Sequence, residues 1–451
     1  MPPQFIRPNR EQGLLLPPSL RDRLPADHQV WFIIDTVERM DLSAFCARAR
    51  MDGKGGAWYE PKMMATLLIY AYAQGVRSSR RIEQLCQVDV AFRVICGNLR
   101  PDHSSIARFR QQNESAFESL FLAVLSLCRE VGLLKVGIIA VDGTKMQGNT
   151  SLSSNRTEKG LMDEVKRIMT EARNTDDLEN KLYGEHRGDE LPAQLRHPND
   201  RVARIEECLR QIRERKQKET DEHAAKKKDR EEREAMGKKL RGRKPKEPIS
   251  HTEPKANMTD PDSRIMKNGK GYHQGYNAQA VANQNQVIIA AEVTQDQNDK
   301  HQLHPMIRKA VTHLRTIGQH QLPRIGLADA GYASEKALRQ PLAGDIEGIV
   351  AVRNDDLVRT NGIPVPRGRI PKAASASERM HRKTMTKRGK ALYKLRGQII
   401  EPVFGQIKTS QQKFNRFSRR GRTACDSEWK LICSVHNLLK VWKTKGESSK
   451  R

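Results

Sequence analysis

Two aspartates end apolar runs at positions where a carboxylate could do chemistry. Asp142 follows the run Val136–Val141 and precedes Gly143, and Asp329 follows the run Ile325–Ala328. Apolar runs of this length that are closed by turn residues predict buried strands. A carboxylate at the end of such a strand is costly to desolvate unless it gains hydrogen bonds, a cation or a metal ion. We therefore expect both side chains to have partners, and a turn-starting aspartate is the alternative for Asp142 taken alone.

A third acid lies in the segment 393–408, which reads YKLRGQIIEPVFGQIK and has Glu401 as its sole acidic residue. The pattern predicts a helix in which Glu401 and Lys408 point the same way to within about 20°. Both border an apolar stripe formed by Ile400, Val403, Phe404 and Ile407. Pro402 predicts a kink or a new helix start. Glu401 would be reachable from the sheet, although an ordinary helix-start acid is the alternative.

The motifs VDGTK around Asp142, LADAGY around Asp329 and the series in 393–408 resemble the DDE-type transposases of bacterial insertion sequences. The resemblance covers most of the chain, from about Phe5 to about Trp442. It implies a mixed α/β catalytic domain, with a ribonuclease-H-like five-stranded mixed sheet flanked by helices. An all-α N-terminal domain and a helical insertion between the first two acids would accompany it.

The resemblance also implies roles for individual residues. Asp142, Asp329 and Glu401 would be the catalytic and metal-binding acids. Tyr393, Arg396 and Lys408 would support the acids and bind DNA. One spacing departs from the family signature, because four residues separate Arg396 from Glu401 where three are usual. The six-residue gap between Glu401 and Lys408 fits.

The chemistry of such enzymes explains these residue types. Cutting a phosphodiester by direct attack of water or a 3′-hydroxyl uses two divalent ions about 3.5–4 Å apart. Three carboxylates can hold two Mg²⁺ ions, with Mn²⁺ as a substitute, because these ions prefer oxygen ligands. Lys408 and Arg396 could then neutralise phosphate charge in the transition state.

The charge of the chain favours a polyanionic partner. The sequence has 81 Lys and Arg against 54 Asp and Glu, for a net charge of +27. The expected partner is double-stranded DNA, both at the ends of the element and at the target site. Ribosomal and chromatin proteins are comparably basic, so charge alone does not separate an enzyme from a passive binder. Residues 378–422 contain 14 Lys or Arg and 2 Glu, a segment suited to a phosphate backbone; a solvated charged face is the alternative.

Residues 1–130 read as a helical N-terminal DNA-binding domain. Asp102 can cap a helix that carries the candidate DNA contacts Ser104, Ser105, Arg108 and Arg110. Any capped surface helix would share this pattern, and the resemblance favours DNA contact.

The rest of the chain divides by composition. Residues 131–154 and 260–442 would form the catalytic domain, and 155–259 a charged helical insertion and basic linker. Within the insertion an amphipathic helix is predicted by Val202, Ile205, Leu209 and Ile212. Arg241–Arg243 is interpreted as part of an unstructured linker, and 443–451 as a disordered tail. Asp296 and Asp299, rival acids, are interpreted as polar loop residues.

Seven scattered cysteines without a Cys-x-x-Cys spacing predict reduced thiols instead of disulfides or zinc ligands. For the pair Cys433 and His436 we expect a helix packed on the core. No apolar run is long enough to span a bilayer, and the first residues lack a signal-peptide core, so a bacterial cytoplasmic, nucleoid-associated protein is expected.

The hypothesis from sequence is a DNA transposase that binds insertion-sequence ends and catalyses metal-dependent strand cleavage and strand transfer. Pairing two ends would favour a homodimer on DNA. Two alternatives stay open: a non-catalytic DNA-binding protein on the same fold, and a metal-dependent DNA nuclease without strand transfer.

Overall fold

A mixed β-sheet forms the centre of the structure, a computed structural model that describes residues 19, 21–46, 58–167, 198–235, 254–269, 271–352, 368–371, 373–410 and 412–448. Its strands are β1 (Ile138–Gln147), β4 (Arg264–Asn268), β5 (Gly271–Asn283), β6 (Ile288–Thr294), β7 (Ile325–Ala328) and β8 (Glu347–Val350). The order is β4-β5-β1-β7-β8, with β6 also paired to β5. β1 is antiparallel to β5 and parallel to β7, and β7 is parallel to β8.

The six strands occupy five positions across the sheet. Gly275 of β5 pairs with Gln147 of β1 and with Arg264 of β4, so β1 and β4 lie on opposite edges of β5. β6 pairs with residues 277–282 of β5, and β1 pairs with the same residues from the other side. β6 therefore lies on the same edge of β5 as β4. The mixed sheet flanked by helices that the sequence predicts is confirmed, with β4 as an additional short strand.

One detail of the first strand differs from the prediction. β1 does not end at Asp142 but continues to Gln147, because the long strand β5 pairs with it over that whole length. Only the parallel partner β7 stops, at the level of Val141, where Ala328 is its last paired residue. Gly143 is therefore a strand residue and not a turn.

Helices surround the sheet. In the N-terminal part these are α1 (Gln29–Glu38), α2 (Pro61–Ala73), α3 (Ser79–Val88), α4 (Val90–Ile95), α5 (His103–Gln112) and α6 (Ala116–Glu130). Residues 158–167 form α7, followed by α8 (Pro198–Ala235), α9 (Leu303–Thr316) and α10 (Glu335–Arg339). The C-terminal helices are α11 (Ala376–Met385), α12 (Lys387–Ile399), α13 (Glu401–Gly405) and α14 (Arg422–Ser448).

The long helix α14 joins the N-terminal helices to the sheet. Trp429 is fully buried, and its indole N–H donates to the carbonyl of Gln279 at 2.9 Å. On another face Glu428 accepts a hydrogen bond from Tyr72 of α2 at 3.1 Å. One continuous apolar core runs from the N-terminal helices through the sheet to α14. Apolar burial thus holds the two parts in one packed unit.

Side chains from helices cover part of the edge strands β6 and β8. Asn437 of α14 accepts from the N–H of Ile288 and donates to its carbonyl, each at 2.8 Å. On the opposite edge Lys383 of α11 donates to the carbonyl of Gly348 in β8 at 3.1 Å. The backbone groups of an open edge are thereby partly satisfied within the chain.

The insertion has its own small core. Ile205, Cys208 and Ile212 of α8 are fully buried against Leu161 and Ala256, as the amphipathic pattern predicts. Two short strands, β2 (Asn155–Thr157) and β3 (Lys255–Asn257), pair at its base. The predicted linker at 241–243 lies outside the described residues. In the expected disordered tail, residues 443–448 belong to α14.

All seven cysteines are free, and Cys46 is the exposed one. Cys433 and His436 are fully buried within α14, so the expected packing role is confirmed. Among the described helices, none combines the length and the apolar character needed to cross a bilayer.

Gly275 lies at a crowded crossing of β5 and β1. A Cβ placed there would sit 2.0 Å from the carbonyl oxygen of Met146, so two backbones would have to separate. We expect Gly275→Ala to lower the free energy of unfolding by about 3 kcal/mol in denaturant titrations. The control is Gly269→Ala, where no atom lies within 4 Å of the added methyl group. Equal effects of the two substitutions would contradict this packing.

Candidate active site

Asp142 and Asp329 come together where β1 and β7 run side by side. Their preceding residues, Val141 and Ala328, are register partners in the parallel pair. Each carboxylate is also fixed by a local backbone N–H: Gly143 donates to Asp142 and Gly331 donates to Asp329, both at 2.8 Å. This register places the two acids in one region of the sheet, as the sequence predicts.

Glu401 reaches the same region because the chain breaks its helical path beside Pro402. α12 ends at Ile399, and α13 begins at Glu401. In an unbroken helix, residues five positions apart would point roughly 140° away from each other at about 100° per residue. The break instead brings Arg396 within 3.0 Å of Glu401. The unusual four-residue spacing between them is accommodated by this interruption.

Arg396 is the cation that connects two of the acids. Its guanidinium donates to Asp142 at 3.1 Å and to Glu401 at 3.0 Å. The side chains of Arg396 and Asp142 are 15% and 19% exposed, whereas Glu401 is 60% exposed. The charge pair with Asp142 is therefore the more strongly desolvated of the two. Tyr393, one turn before Arg396, places its ring 5.9 Å from the guanidinium.

Lys408 approaches from the end of the same segment. Residues Gln406–Ser410 form a π-helical turn, a geometry that was not predicted from the sequence. Lys408 is half-buried and donates to the hydroxyl of Thr144, two residues after Asp142 on β1. Desolvation lowers the pKa of Lys408, and the negative charge of Asp142 opposes that shift.

A fourth carboxylate, that of Asp299, was interpreted from the sequence as a polar loop residue, and its contacts with β1 and β5 were missed. Its Oδ1 accepts hydrogen bonds from Lys145 at 3.0 Å and from the buried amides of Asn277 and Gln279, each at 2.7 Å. Gln279 in turn accepts from Tyr332, three residues after Asp329, at 2.5 Å. Asp299 lies in the polar loop that we expected, but its side chain is turned toward β1 and β5.

This polar cluster explains why a glycine follows Asp142. A Cβ at Gly143 would lie 2.1 Å from Nε2 of Gln279 and 2.9 Å from Oδ1 of Asp299. The signal in the sequence was available: Asn277 and Gln279 alternate with Ala278 and Ala280 along β5, so both point to one face of the sheet. Gly143 and Lys145 share a face of β1 by the same rule.

Burial and neighbouring carboxylates destabilise the ionised form of the Asp142 side chain. Burial raises the pKa of Asp142 to about 6. Arg396 and the N–H of Gly143 oppose this rise, whereas the charges of Asp329 and Asp299 add to it. A divalent cation beside these carboxylates would favour the ionised form for the same reason that Arg396 does.

The donor chemistry suits a hard cation, but the carboxylates are not arranged around one. Among the described residues, no three His, Cys, Asp or Glu side chains are grouped closely enough to hold a metal ion. Arg396 stands between Asp142 and Glu401 instead. Oδ2 of Asp329 and Oε2 of Glu401 have no hydrogen bond with any described residue. Carboxylate oxygens are the ligands that Mg²⁺ prefers, so these residues fit the ion chemically.

The candidate DNA contacts on α5 fall into different environments. Ser104 and Ser105 both donate their hydroxyls to Asp102, which caps the helix as predicted. Arg108 is exposed. Arg110 differs from our expectation of a surface contact, because it is 9% exposed and donates to Tyr72 and to the carbonyl of Arg77. The helical period turns Arg110 toward the protein interior.

Two regions of the chain match known families. Residues 18–112 match a family described as a transposase domain (DUF772), and residues 245–438 match one described as a transposase DDE domain. The second match includes Asp329, Arg396 and Glu401 and begins after Asp142. A DDE domain implies a ribonuclease-H-like fold, in agreement with the mixed sheet. No curated protein and no solved structure matches the chain.

The raised pKa of Asp142 has a consequence for stability without metal. Because the folded-state pKa of about 6 exceeds the ordinary aspartate value of 3.8, stability falls as the pH rises through this interval. Above it, the ionised carboxylate costs at most about 3 kcal/mol. We expect Asp142→Asn to be more stable than the wild type near pH 8 in EDTA, with the gap closing below about pH 4. Denaturant titrations of both proteins at each pH measure this difference.

Asp345→Asn is the matched control, since Asp345 is exposed. It should change stability little at any pH. A metal-free Asp142→Asn protein that is less stable than the wild type near pH 8 would contradict the electrostatic account.

Proposed function

We infer that this chain, which belongs to the DDE-type transposases of insertion sequences, binds the double-stranded ends of its element, cleaves them and transfers the freed 3′ ends to a target strand. The observation that carries the inference is the placement of the three acids: Arg396 pairs with both Asp142 and Glu401, and Asp142 and Asp329 follow the register partners Val141 and Ala328. These residues come from three elements distant in the sequence. A net charge of +27 suits the polyanionic substrate.

Asp142, Asp329 and Glu401 would hold Mg²⁺ or Mn²⁺, ideally as a pair of ions. When bound, such ions activate the attacking oxygen and stabilise the leaving oxygen of a phosphodiester. The chain itself orients these ligands: Gly143 and Gly331 fix two of the carboxylates through backbone N–H groups. Lys408, beside Thr144, is placed to neutralise a phosphate near Asp142.

Arg396 would serve two purposes. In the metal-free protein its guanidinium compensates the charges of Asp142 and Glu401. A guanidinium released from these carboxylates could bind a DNA phosphate, which it can contact through two parallel N–H groups. Tyr393 lies against it and would limit the directions in which it can turn.

The two alternatives make different predictions on the same fold. A non-catalytic binder would hold DNA without metal-dependent cleavage. A nuclease would cleave but yield no joined product when it is given pre-nicked ends and a target duplex. Pairing of two element ends favours a homodimer on DNA, and its place of action would be the bacterial nucleoid.

The acids are tested by Asp142→Asn, Asp329→Asn and Glu401→Gln in a Mg²⁺-dependent strand-cleavage assay on duplex DNA from the element's ends. We expect each substitution to reduce cleavage by at least about a hundredfold, because each removes a metal ligand, while DNA binding is retained. Asp345→Asn should cleave like the wild type. Full activity in any one of the three variants would remove that residue from the site.

The placement of Arg396 predicts competition with metal. Arg396→Ala should bind Mn²⁺ more tightly than the wild type in calorimetric titration, roughly tenfold for about 1.4 kcal/mol of relieved competition, and yet should cleave DNA more slowly. Arg388→Ala is the control, since Arg388 lies on the same helix and pairs with Glu347 at 2.6 Å, away from the acids. Weaker Mn²⁺ binding in Arg396→Ala would show that Arg396 supports the metal site instead of competing for it.

A further inference from the structure

An arginine-lined groove lies outside the carboxylate site. It runs between the α2–α3 turn (residues 75–81) and the segment 415–419, with Asn149 at one side, and encloses about 700 Å³. Its arginines are Arg77, Arg81, Arg110, Arg416 and Arg419. Among the described residues that line it there is no Asp or Glu. The groove therefore brings together cations from both ends of the chain.

Most of this charge is not compensated by a described carboxylate. Arg77 donates to the carbonyls of Gln412 and Lys413, and Arg416 donates to the carbonyl of Gly148 at 3.1 Å. Arg81 donates to the side-chain carbonyl of Gln84. Neutral acceptors orient a guanidinium but leave its positive charge in place.

Arg110 and Arg419 form the deeper part of the groove. Arg110 is 9% exposed and donates to a tyrosine hydroxyl, a serine hydroxyl and a carbonyl. Arg419 is the member with an ionic partner, Glu114, at 2.5 Å. A second carboxylate, the buried Glu428, lies behind the groove and accepts from Ser418 and Tyr72. Five arginines against these two carboxylates leave the groove positive.

The guanidiniums are held in place before any ligand arrives. Arg77 lies over the ring of Phe414, with 5.0 Å between its Cζ and the ring centroid. α3 begins at Ser79 on the same wall, and the hydroxyl of its N-cap Ser78 accepts a hydrogen bond from the backbone N–H of Arg81. Fixed donors around a basic groove suit phosphate oxygens, since little side-chain entropy is lost on binding.

The groove is physically continuous with the carboxylate site. Gln147 forms a β-bridge with Arg416, and its carbonyl accepts from the N–H of Phe417 at 2.8 Å. Gln147 lies five residues after Asp142 on β1, or roughly 17 Å at about 3.3 Å per residue. That span corresponds to about five base-pair steps of roughly 3.4 Å each along the axis of a DNA duplex.

We propose that this groove binds the phosphodiester backbone of the DNA duplex whose scissile bond lies at the carboxylates, about five base pairs away. The proposal rests on the proposed function and specifies where that same substrate is held. Contacts of this kind fix the position of the duplex and carry no base specificity. The groove would thus set the distance between the bound duplex and the cut.

The test is the salt dependence of duplex binding. The probe is a short fluorescein-labelled DNA duplex of mixed sequence, and fluorescence anisotropy gives the binding constant over a series of KCl concentrations in EDTA. The double variant Arg81→Ala/Arg416→Ala removes two exposed groove cations. We expect the slope of log K against log salt to fall in magnitude by about 1.8, at about 0.9 per lost phosphate contact.

Two further variants separate charge from folding. Arg81→Lys/Arg416→Lys keeps both charges and should restore most of the wild-type slope. Arg315→Ala/Arg324→Ala removes two exposed arginines near the opposite end of the sheet, since Arg324 precedes β7 and Asp329 follows it. This matched variant should keep the wild-type slope. Equal slopes for the groove variant and this matched variant would overturn the proposal.

The outcomes also separate the groove from the proposed function. If the wild type binds duplex DNA with a slope that the groove variant reduces but never cleaves it with Mg²⁺, the groove is supported and the transposase chemistry is not. If the wild type cleaves DNA while the groove variant keeps its full slope and cleavage rate, the groove is rejected and the chemistry stands. A loss of binding that the lysine variant does not restore would also reject the charge-based account.

Discussion

The burial of one carboxylate, that of Asp142, inside a paired strand is the constraint on which the rest of the structure depends. A charge 19% exposed among strands needs compensation, and Arg396 supplies it from a helix more than two hundred and fifty residues away. To reach both Asp142 and Glu401, the helical segment must break beside Pro402. On the other face of the strand, the missing side chain of Gly143 leaves room for the amides that bind Asp299. Local oddities of sequence thus follow from one electrostatic requirement.

Much of this could be predicted from the sequence where the signal was local. The apolar runs before Asp142 and Asp329 marked two strands, and Asp102 marked the start of a helix. The end of β1 could not be predicted, because it is set by the length of its partner β5, a contact distant in the chain. Asp299 was missed for a similar reason: its role depends on which side chains the antiparallel register of β5 presents to it. The inward direction of Arg110 likewise depends on which face of α5 packs against α2 and α3, where Arg110 contacts Tyr72 and Ser79.

The N-terminal helices and the sheet are two compositional regions but one packed body. Tyr72 of α2 and Ser418 both bond to the buried carboxylate of Glu428 in α14, so the wall of the arginine groove is tied to the helix that supports the sheet. A shift of α2 relative to β1 would remove the Tyr72 hydroxyl from that carboxylate in a desolvated setting, which is costly. The distance between groove and carboxylates is therefore held by core packing and not by a flexible connection.

The covered rims of the sheet restrict how copies of this protein can assemble. On β6, Asn437 occupies the N–H and carbonyl of Ile288, and Asp426 accepts from the N–H of Val293. On β8, Lys383 occupies a carbonyl that an added strand would need. Addition of a strand from a second molecule to β6 or β8 would require α14 or α11 to detach, with loss of apolar contacts in the shared core. Two copies of the protein would therefore meet through helical and loop surfaces. Strand exchange, which often causes misassembly of exposed sheets, is disfavoured at β6 and β8.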